Sequence, residues 1–410
     1  MREWTKKDLR ILEDTACKRS ELPASFRAAA AKAPRRFHEM IGSYEETPLV
    51  SLPALAKKLG VKGICVKDES GRFSLKAFKG LGGSYAMFRV LCEALSLDPA
   101  NSTLQELTDS TRRDKIRQIE FVTCTDGNHG RGISWAAGLF GCKAHVFMPY
   151  GSQEIRAQAI RKVGPADVVI TDLSYDDTVR YAKEMSEQNG WILIQDTAWD
   201  GYEKIPTWII QGYLTLASEL TEQMDKLSIR PTHVFLQAGV GAMAGGVLGY
   251  LTDYYQEDKP IAAIVEPEEA NCIYSSVRAG DGNPHSVEGI AHTMMAGLNC
   301  GTPCKVTWPI LRDNAEFYVS CEDSVAALGM KSYAAGLGGD PVVISGESGA
   351  ATLGVVERIL AGSDFAEVRD AMRLSTESVI LLINTEGDTD PENYERIIHA
   401  APQMRDNLVF

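Results

Sequence analysis

Short apolar runs alternate with amphipathic stretches along most of the chain, and this alternation restricts the possible folds more than any other feature. The apolar runs have the length of buried strands and lie at 63–68, 119–124, 144–149, 167–171, 191–196, 232–239, 261–267 and 378–387. Helix-like stretches separate them, at 130–139, 153–163, 175–189, 207–224, 242–255 and 350–360. Strands that alternate with helices predict an α/β fold, with mostly parallel twisted sheets flanked by helices.

The length and the distribution of these elements predict two domains. A chain of 410 residues with 44% hydrophobic residues can build two packed cores. No proline-rich or serine-rich linker marks a boundary, but residues 86–226 contain strand–helix units of their own. We therefore predict a large domain formed by residues 1–85 and 227–410, into which residues 86–226 are inserted as a smaller α/β domain.

The composition argues against several classes of partner. The formal net charge of −13 disfavours nucleic acid and anionic membranes. The first 20 residues lack the apolar core of a signal peptide, and no apolar run reaches transmembrane length. The nine cysteines include no C-x-x-C pair, which predicts free thiols in a reducing cytoplasm and no metal site. Whether Cys272 and Cys300 form a disulfide stays open.

A glycine loop, "LQAGVGAMAGG" at 236–246, joins a predicted strand to a predicted helix. Glycines at such a junction let backbone amides approach an anion, and the helix dipole favours a phosphate there. Gly239, Gly241 and Ala244 also fit the G-x-G-x-x-A fingerprint of dinucleotide-binding proteins, and Glu266 ends the next strand, where a ribose-binding carboxylate is expected. Taken alone, the loop favours an NAD-dependent oxidoreductase.

Two further segments have no role in a dinucleotide site. "SLKAFKGLGGSYA" at 74–86 places Lys79 before a glycine-rich stretch, which predicts a bend after the lysine. "TCTDGNHGRG" at 123–132 follows another predicted strand and contains Asp126 and Asn128. A lysine for a Schiff base, an amide for a ring hydroxyl and a cup for one phosphate are together what pyridoxal 5′-phosphate requires.

The order of the motifs resembles that of the fold-type-II pyridoxal-phosphate enzymes, which include threonine dehydratase, threonine synthase and the tryptophan synthase β-subunit. The matching segments run from about Pro48 to Pro391, and they include "AFKGLGG", "TDGNHGRG", "AGVGAMAGG", "VEPEEA" and "SGESGA". The lysine segment departs from the common Ser-Phe-Lys-x-Arg-Gly-Ala pattern at Ala77, Leu81 and Gly83. These departures, with "QDTAWDGYEKIPTWIIQGY" and "NTEGDTD", resemble the diaminopropionate ammonia-lyase branch.

The resemblance implies a homodimeric lyase whose large domain binds pyridoxal phosphate. It would convert both D- and L-2,3-diaminopropionate to pyruvate and two ammonia by α,β-elimination, through an external aldimine and an aminoacrylate. The implied catalytic residues are Lys79, Asp126 and Asp196. The implied cofactor-binding residues are Lys79, Phe78, Asn128, Gly239, Val240, Gly241, Ala242 and Met243, with Thr385 or Asn384 beside the ring nitrogen.

Three alternatives stay open at this point: a serine or threonine dehydratase on the same fold, the NAD-dependent oxidoreductase, and a cofactor-binding protein without turnover. Of the two neighbouring lysines, Lys79 matches the position of the family's anchor, because Phe78 precedes it and glycines follow, whereas Lys76 does not. Burial is expected to lower the pKa of Lys79 and to raise that of Asp126.

Overall fold

The computed structural model describes residues 1–15, 17–287 and 293–400. Its strands are β1 (Arg2–Thr5), β2 (Leu9–Glu13), β3 (Leu49–Ser51), β4 (Gly63–Asp68), β5 (Glu120–Cys124), β6 (Lys143–Met148), β7 (Ala166–Ile170), β8 (Ile192–Leu193), β9 (His233–Gln237), β10 (Ile261–Pro267), β11 (Phe317–Cys321) and β12 (Val379–Asn384). Its α-helices are α1 (Lys32–Glu39), α2 (Pro53–Leu59), α3 (Lys79–Ala94), α4 (Leu104–Thr108), α5 (Ser110–Arg117), α6 (Asn128–Phe140), α7 (Glu154–Val163), α8 (Tyr175–Asn189), α9 (Lys204–Lys226), α10 (Ala242–Tyr255), α11 (Cys272–Ala279), α12 (Trp308–Asn314), α13 (Asp323–Ala335), α14 (Glu347–Ala361), α15 (Ala366–Met372) and α16 (Pro391–Ile398).

The strands form two sheets. The larger sheet has eight strands in the order β1-β2-β11-β10-β9-β12-β4-β3, and the smaller has four in the order β7-β6-β5-β8. Every pairing in the smaller sheet is parallel, as are those from β11 through β10, β9 and β12 to β4. Only β1, β2 and β3 pair antiparallel, at the two edges of the larger sheet. The predicted fold class, α/β with mostly parallel sheets, is confirmed.

Four strands of the larger sheet are absent from the prediction: the edge strands β1 and β3, and the inner strands β2 and β11. β1 and β3 have no buried residue, so their sequences lack the apolar run of a central strand. β11 is buried throughout, but its five residues contain a serine and a cysteine that interrupt the apolar pattern. No helix among the described residues is long and apolar enough to cross a membrane.

The smaller sheet lies within the predicted inserted domain, since its strands run from Glu120 to Leu193. One apolar cluster nevertheless includes side chains from both sheets, such as Val146 on β6 and Leu236 on β9. The domain boundaries at 86 and 226 stay a prediction, and positions 16, 288–292 and 401–410 of the predicted ranges lie outside the described residues.

The glycines that follow Lys79 do not form the predicted bend. They lie inside α3, which begins at Lys79 and packs against α6 and α9. A Cβ atom on Gly82 would lie 2.5 Å from Tyr213 Cε1, and one on Gly83 would lie 2.9 Å from Ile133 Cδ1. These glycines therefore allow three helices to approach one another closely, and the prediction of a bend after Lys79 is wrong.

The backbone bends just before Lys79 instead. Phe73, Ser74 and Lys76 have φ values of 50°, 58° and 55°, in the left-handed region that residues with a Cβ rarely adopt. A buried hydrogen bond holds this segment, because Arg131 Nη1 donates to the carbonyl oxygen of Leu75 at 2.9 Å. Tertiary contacts thus stabilise a backbone conformation that the local sequence does not favour.

A fully buried ion cluster anchors the start of the same segment. Arg72 donates to Glu69 and to Glu219 on α9, each at 2.7 Å, and Lys67 on β4 donates to Glu219 at 2.7 Å. The cluster contains two cations and two anions, so its formal charges cancel. The cluster joins β4 and the segment before Lys79 to α9, which also packs against α3.

Candidate active site

One cavity, enclosing about 830 Å³ of space that includes solvent at its mouth, lies where strands of both sheets end. Strands β9 and β12 of the larger sheet and β5 and β8 of the smaller sheet lead into it, in agreement with the rule that ligands bind at the carboxyl ends of parallel strands. The predicted residues that line it are Phe78, Lys79, Asp126, Asn128, Asp196, Gly239, Val240, Gly241, Ala242, Met243 and Thr385.

Asn384 is the predicted residue that the structure does not bring to the cavity. Its side-chain nitrogen donates to Asp68 Oδ1 at 2.8 Å and to the carbonyl oxygen of Ile344 at 3.0 Å. Asn384 and Thr385 were the two alternatives beside the ring nitrogen, and these contacts hold the Asn384 side chain away from the cavity. Of these two, Thr385 is the one that lines it.

Lys79 and Asp196 form a close ion pair in the cavity. Lys79 is the first residue of α3, Asp196 follows β8, and Lys79 Nζ lies 2.5 Å from Asp196 Oδ2. Burial alone would lower the pKa of Lys79, but the charge of Asp196 outweighs it and raises that pKa. The expectation of a lowered pKa is therefore wrong for this state of the protein, because the sequence did not place a carboxylate against the amine.

The pKa of Asp196 shifts in the opposite direction. Burial would raise it, but His129 and Lys79 outweigh that effect and hold it at about 2. The ring of His129 is oriented by Nε2, which lies 2.8 Å from the carbonyl oxygen of Ile194 and must donate to it. The other ring nitrogen, Nδ1, has no hydrogen-bond partner in the described part of the chain and lies 3.7 Å from Asp196 Oδ2.

Asp126 has the raised pKa that the sequence predicts. Burial and the nearby charge of Asp196 raise it, Arg156 and Lys79 partly offset this, and the resulting pKa is about 7. Arg156, on α7, also donates to the backbone oxygen of Asp126 at 3.3 Å. A carboxyl with a pKa near neutrality can both accept and release a proton at physiological pH.

The side chain of Asn128 is held by a carboxylate from the far end of the chain. Its Nδ2 donates to Glu386 Oε2 at 2.5 Å, and the other carboxylate oxygen of Glu386 accepts from the backbone N–H of Ser348 at 3.1 Å. An ionised carboxylate can only accept hydrogen bonds, so the NH₂ group of Asn128 must face Glu386. That group has a second N–H, which can be donated to a ligand.

The glycine loop between β9 and α10 is closely surrounded. Gly241 has φ of +83°, and a Cβ atom there would lie 2.6 Å from Leu311 Cδ1. A Cβ atom on Gly239 would lie 3.3 Å from Cys300 Sγ. The loop thus requires glycine for its backbone and for space, and it leaves the N–H groups at the start of α10 open to an anion.

The structure contradicts the role that a dinucleotide site would give Glu266. This residue is fully buried, and its carboxylate accepts from the backbone N–H groups of Ile273 and Tyr274 at 2.8 and 2.7 Å. Its carboxylate therefore caps the backbone N–H groups in the first turn of α11, and it does not line the cavity.

Several residues that line the cavity were not predicted as site residues: Thr125, His129, Arg156, Tyr175, Gln237, Ser348, Cys300 and Glu386. Gln237 lies within the quoted glycine-loop segment, two residues before Gly239, and Glu386 directly follows Thr385, so proximity to a motif residue was a usable signal for both. Arg156 gives no such signal, because it lies in an ordinary amphipathic helix. Cys272 and Cys300 are both free thiols in this structure.

Comparisons with known proteins agree with this geometry. Residues 41–377 match the family model described as "Pyridoxal-phosphate dependent enzyme". The chain is 48% identical over 373 residues to diaminopropionate ammonia-lyase of Escherichia coli K12, an overlap that covers 91% of this chain and 92% of the relative. It is more distant from the biosynthetic L-threonine dehydratase of the same organism, with 29% identity over 57% of this chain and 38% of that protein.

A solved structure is similar over nearly its whole length. It is the E. coli diaminopropionate ammonia-lyase in complex with an aminoacrylate–pyridoxal-phosphate azomethine reaction intermediate, with 46% identity and a TM-score of 0.87. The match covers 95% of this chain and 97% of that one.

Proposed function

The chain belongs to the family of pyridoxal-phosphate-dependent enzymes and, within it, to the diaminopropionate ammonia-lyases, and from this premise we propose that it eliminates ammonia from 2,3-diaminopropionate. One water molecule is consumed, and the products are pyruvate and two ammonia. A single observation carries the proposal: one cavity contains a partly buried lysine amine, an amide donor and a glycine loop at a helix N-terminus.

The residues of the cavity fit the cofactor. Gly239 and Gly241 have no side chains to obstruct the loop, so the backbone N–H groups of 239–243 can approach one phosphate closely. Lys79 Nζ would bond covalently to the aldehyde carbon of the cofactor. The free N–H of Asn128 would donate a hydrogen bond to the oxygen of the ring hydroxyl, and the Thr385 hydroxyl would form a hydrogen bond with the ring nitrogen. When bound, pyridoxal phosphate supplies an electron sink for the charge that develops at the substrate Cα.

Two side chains are proposed to move the Cα proton. Lys79 would accept it on the face of the substrate that this residue occupies, and Asp126 would accept it on the opposite face. The pKa of about 7 for Asp126 leaves a large fraction of the carboxyl ionised near neutral pH. Two bases on opposite faces would allow both enantiomers to react.

Asp196 is proposed to bind the β-ammonium group of the substrate. Its low pKa keeps it anionic, and Oδ2 already holds an ammonium group, that of Lys79, at 2.5 Å. A substrate ammonium would replace the lysine ammonium as the partner of this carboxylate. Serine offers only a neutral hydroxyl at the same position, so the carboxylate favours diaminopropionate.

We expect kcat/KM for diaminopropionate to exceed that for serine, and Asp196→Asn to lower this ratio by about 10-fold to 100-fold, the effect of one charge-assisted hydrogen bond. Steady-state assays of pyruvate release on both substrates measure it. A wild-type enzyme that prefers serine would instead support the dehydratase alternative, and a holoprotein without turnover on either substrate would support a binding role.

The glycine loop gives a second prediction. Gly241→Ala should raise the Kd for pyridoxal phosphate at least about tenfold, because the left-handed backbone and the contact with Leu311 both oppose a Cβ atom. Gly141→Ala is the matched control, since Gly141 has φ of +75° but no atom within 4 Å of its Cβ position. Titration of the apoprotein with pyridoxal phosphate measures the affinity. Saturable binding of NAD in calorimetry would contradict the proposal.

We also propose a cytoplasmic homodimer. All nine cysteines are free thiols, which supports a reducing compartment. The exposed apolar side chains of Val342 and Ile344 supply apolar surface that a second copy could cover. Sedimentation equilibrium of the holoprotein tests the dimer, and a monomer at micromolar concentration would contradict it.

A further inference from the structure

Gln237, the last residue of β9, lies behind Thr385 at the wall of the cavity. Its side-chain nitrogen Nε2 donates to the carbonyl oxygen of Ile383 at 2.8 Å and to Thr385 Oγ1 at 3.0 Å. Only 2% of Gln237 and 5% of Thr385 is exposed, so water does not compete freely for these groups. No step of the proposed function uses Gln237.

The orientation of the Gln237 amide follows from its partners. A carbonyl oxygen can only accept a hydrogen bond, so the group that faces Ile383 must be the NH₂. The second N–H of the same group then points at Thr385 Oγ1. The amide oxygen of Gln237 has no partner among the described residues.

The hydrogen bond from Gln237 limits which further hydrogen bonds the Thr385 hydroxyl can form. A hydroxyl has one proton and two lone pairs, and one lone pair of Thr385 is occupied by Gln237. No residue in the described ranges accepts the Thr385 proton in a hydrogen bond, and the side chain lines the cavity. A buried donor without an acceptor is costly, so the proton is available for a ligand.

We propose that Gln237 is a positioning residue that directs the Thr385 proton to the ring nitrogen of bound pyridoxal phosphate. The inference rests on the proposed function, which supplies the ligand. It specifies an unprotonated nitrogen, because a protonated one would donate to Thr385 and leave the hydroxyl proton without an acceptor. Glu386 does not compete for the nitrogen, since both of its carboxylate oxygens accept hydrogen bonds, from Asn128 and Ser348, and an unprotonated nitrogen has no proton to donate to them.

The test is ¹⁵N NMR of holoprotein reconstituted with ring-¹⁵N pyridoxal phosphate. Gln237→Met keeps the size of the side chain and removes the donor, so the Thr385 hydroxyl is no longer fixed by Gln237 and can rotate away from the ring nitrogen. The ring signal should move downfield, towards that of a neutral nitrogen without a hydrogen bond. The Kd for the cofactor should rise about tenfold, the effect of one lost hydrogen bond.

Combining Gln237→Met with Thr385→Val distinguishes a positioning role of Gln237 from a packing role. Thr385→Val should produce the same downfield shift, and Gln237→Met should add nothing in the Thr385→Val background. Thr385→Ser keeps the hydroxyl and should therefore give the wild-type ring signal. If Gln237→Met does not fold, Gln237→Asn withdraws the amide from Thr385 and should give the same shift.

Three results would overturn the proposal. The first is a wild-type ring nitrogen that is protonated, and the second is an unchanged ring signal in Gln237→Met. The third is a Gln237→Met shift that is as large in the Thr385→Val background as in the wild-type background. In each case borohydride reduction can still attach the cofactor to Lys79, so the proposed function would stand. A wild-type protein that fails to bind pyridoxal phosphate would overturn the inference and the proposed function together.

Discussion

Lys79→Ala is expected to abolish covalent attachment of pyridoxal phosphate and to slow diaminopropionate turnover at least about a thousandfold. Lys79 is the only lysine among the described residues that line the cavity, so no neighbouring amine can replace it. The variant also deprives Asp196 of the ammonium group that Oδ2 now contacts. Borohydride reduction followed by peptide mass spectrometry measures the covalent link, and the visible spectrum measures it independently.

Lys76→Ala is the matched control for this experiment. Lys76 lies three residues away, its side chain is 46% exposed, and Nζ is 2.8 Å from Asp388 Oδ1. Exposed ion pairs contribute at most about 1 kcal/mol, so this variant should keep the spectrum, the covalent link and the activity. Recovery of the reduced cofactor on Lys76 would show that the lysine has been assigned incorrectly.

Asp126→Asn should slow one enantiomer of diaminopropionate, the D form, by roughly two to four orders of magnitude, which is the usual effect of losing a general base. The substitution keeps the size of the side chain and removes its basicity. Lys79 would still serve the other face of the substrate, so the L form should react at close to the wild-type rate. Steady-state assays with each pure enantiomer give the comparison, and the visible spectrum should be unchanged.

The pH dependence provides a second readout for Asp126. The carboxyl must be ionised to act as a base, and its pKa is about 7. For the D form, kcat/KM should therefore rise as the pH increases through about 7 and then level off. This limb should disappear in Asp126→Asn. Equal slowing of both enantiomers would show that Asp126 is not a base for one face, and slowing of neither would transfer the role to Asp196.

The predictions from sequence were most accurate where a local pattern carries the information. Strand β4 and helices α8 and α10 have the predicted bounds. A buried helix face requires apolar residues at helical spacing and a buried strand requires a continuous apolar run, and both patterns can be recognised in the sequence. The edge strands β1 and β3 have no buried residues and left no such record. The glycines after Lys79 indicated a bend, but helix packing and turns both select glycine, and only the neighbouring helices distinguish the two.

The electrostatics of the site could not be read from the sequence. Lys79 and Asp196 are 117 residues apart, yet their contact reverses the expected direction of the Lys79 pKa shift. Asn128 and Glu386 are 258 residues apart, and nothing near Asn128 predicts which group orients its amide. A pKa and a hydrogen bond depend on distances of a few ångströms between groups, and chain order does not specify those distances.

The sequence by itself determined the α/β fold class, the junctions of strand and helix that supply the cavity, and eleven of the residues that line it. These features follow from the period of apolar residues and from the backbone freedom of glycine, which are local properties. Only the tertiary structure decided that Thr385 and not Asn384 faces the cavity, that Asp196 neutralises Lys79, and that Gln237 holds Thr385. These choices depend on the face to which a strand end turns and on which distant elements pack against it, and both are determined when the whole core assembles.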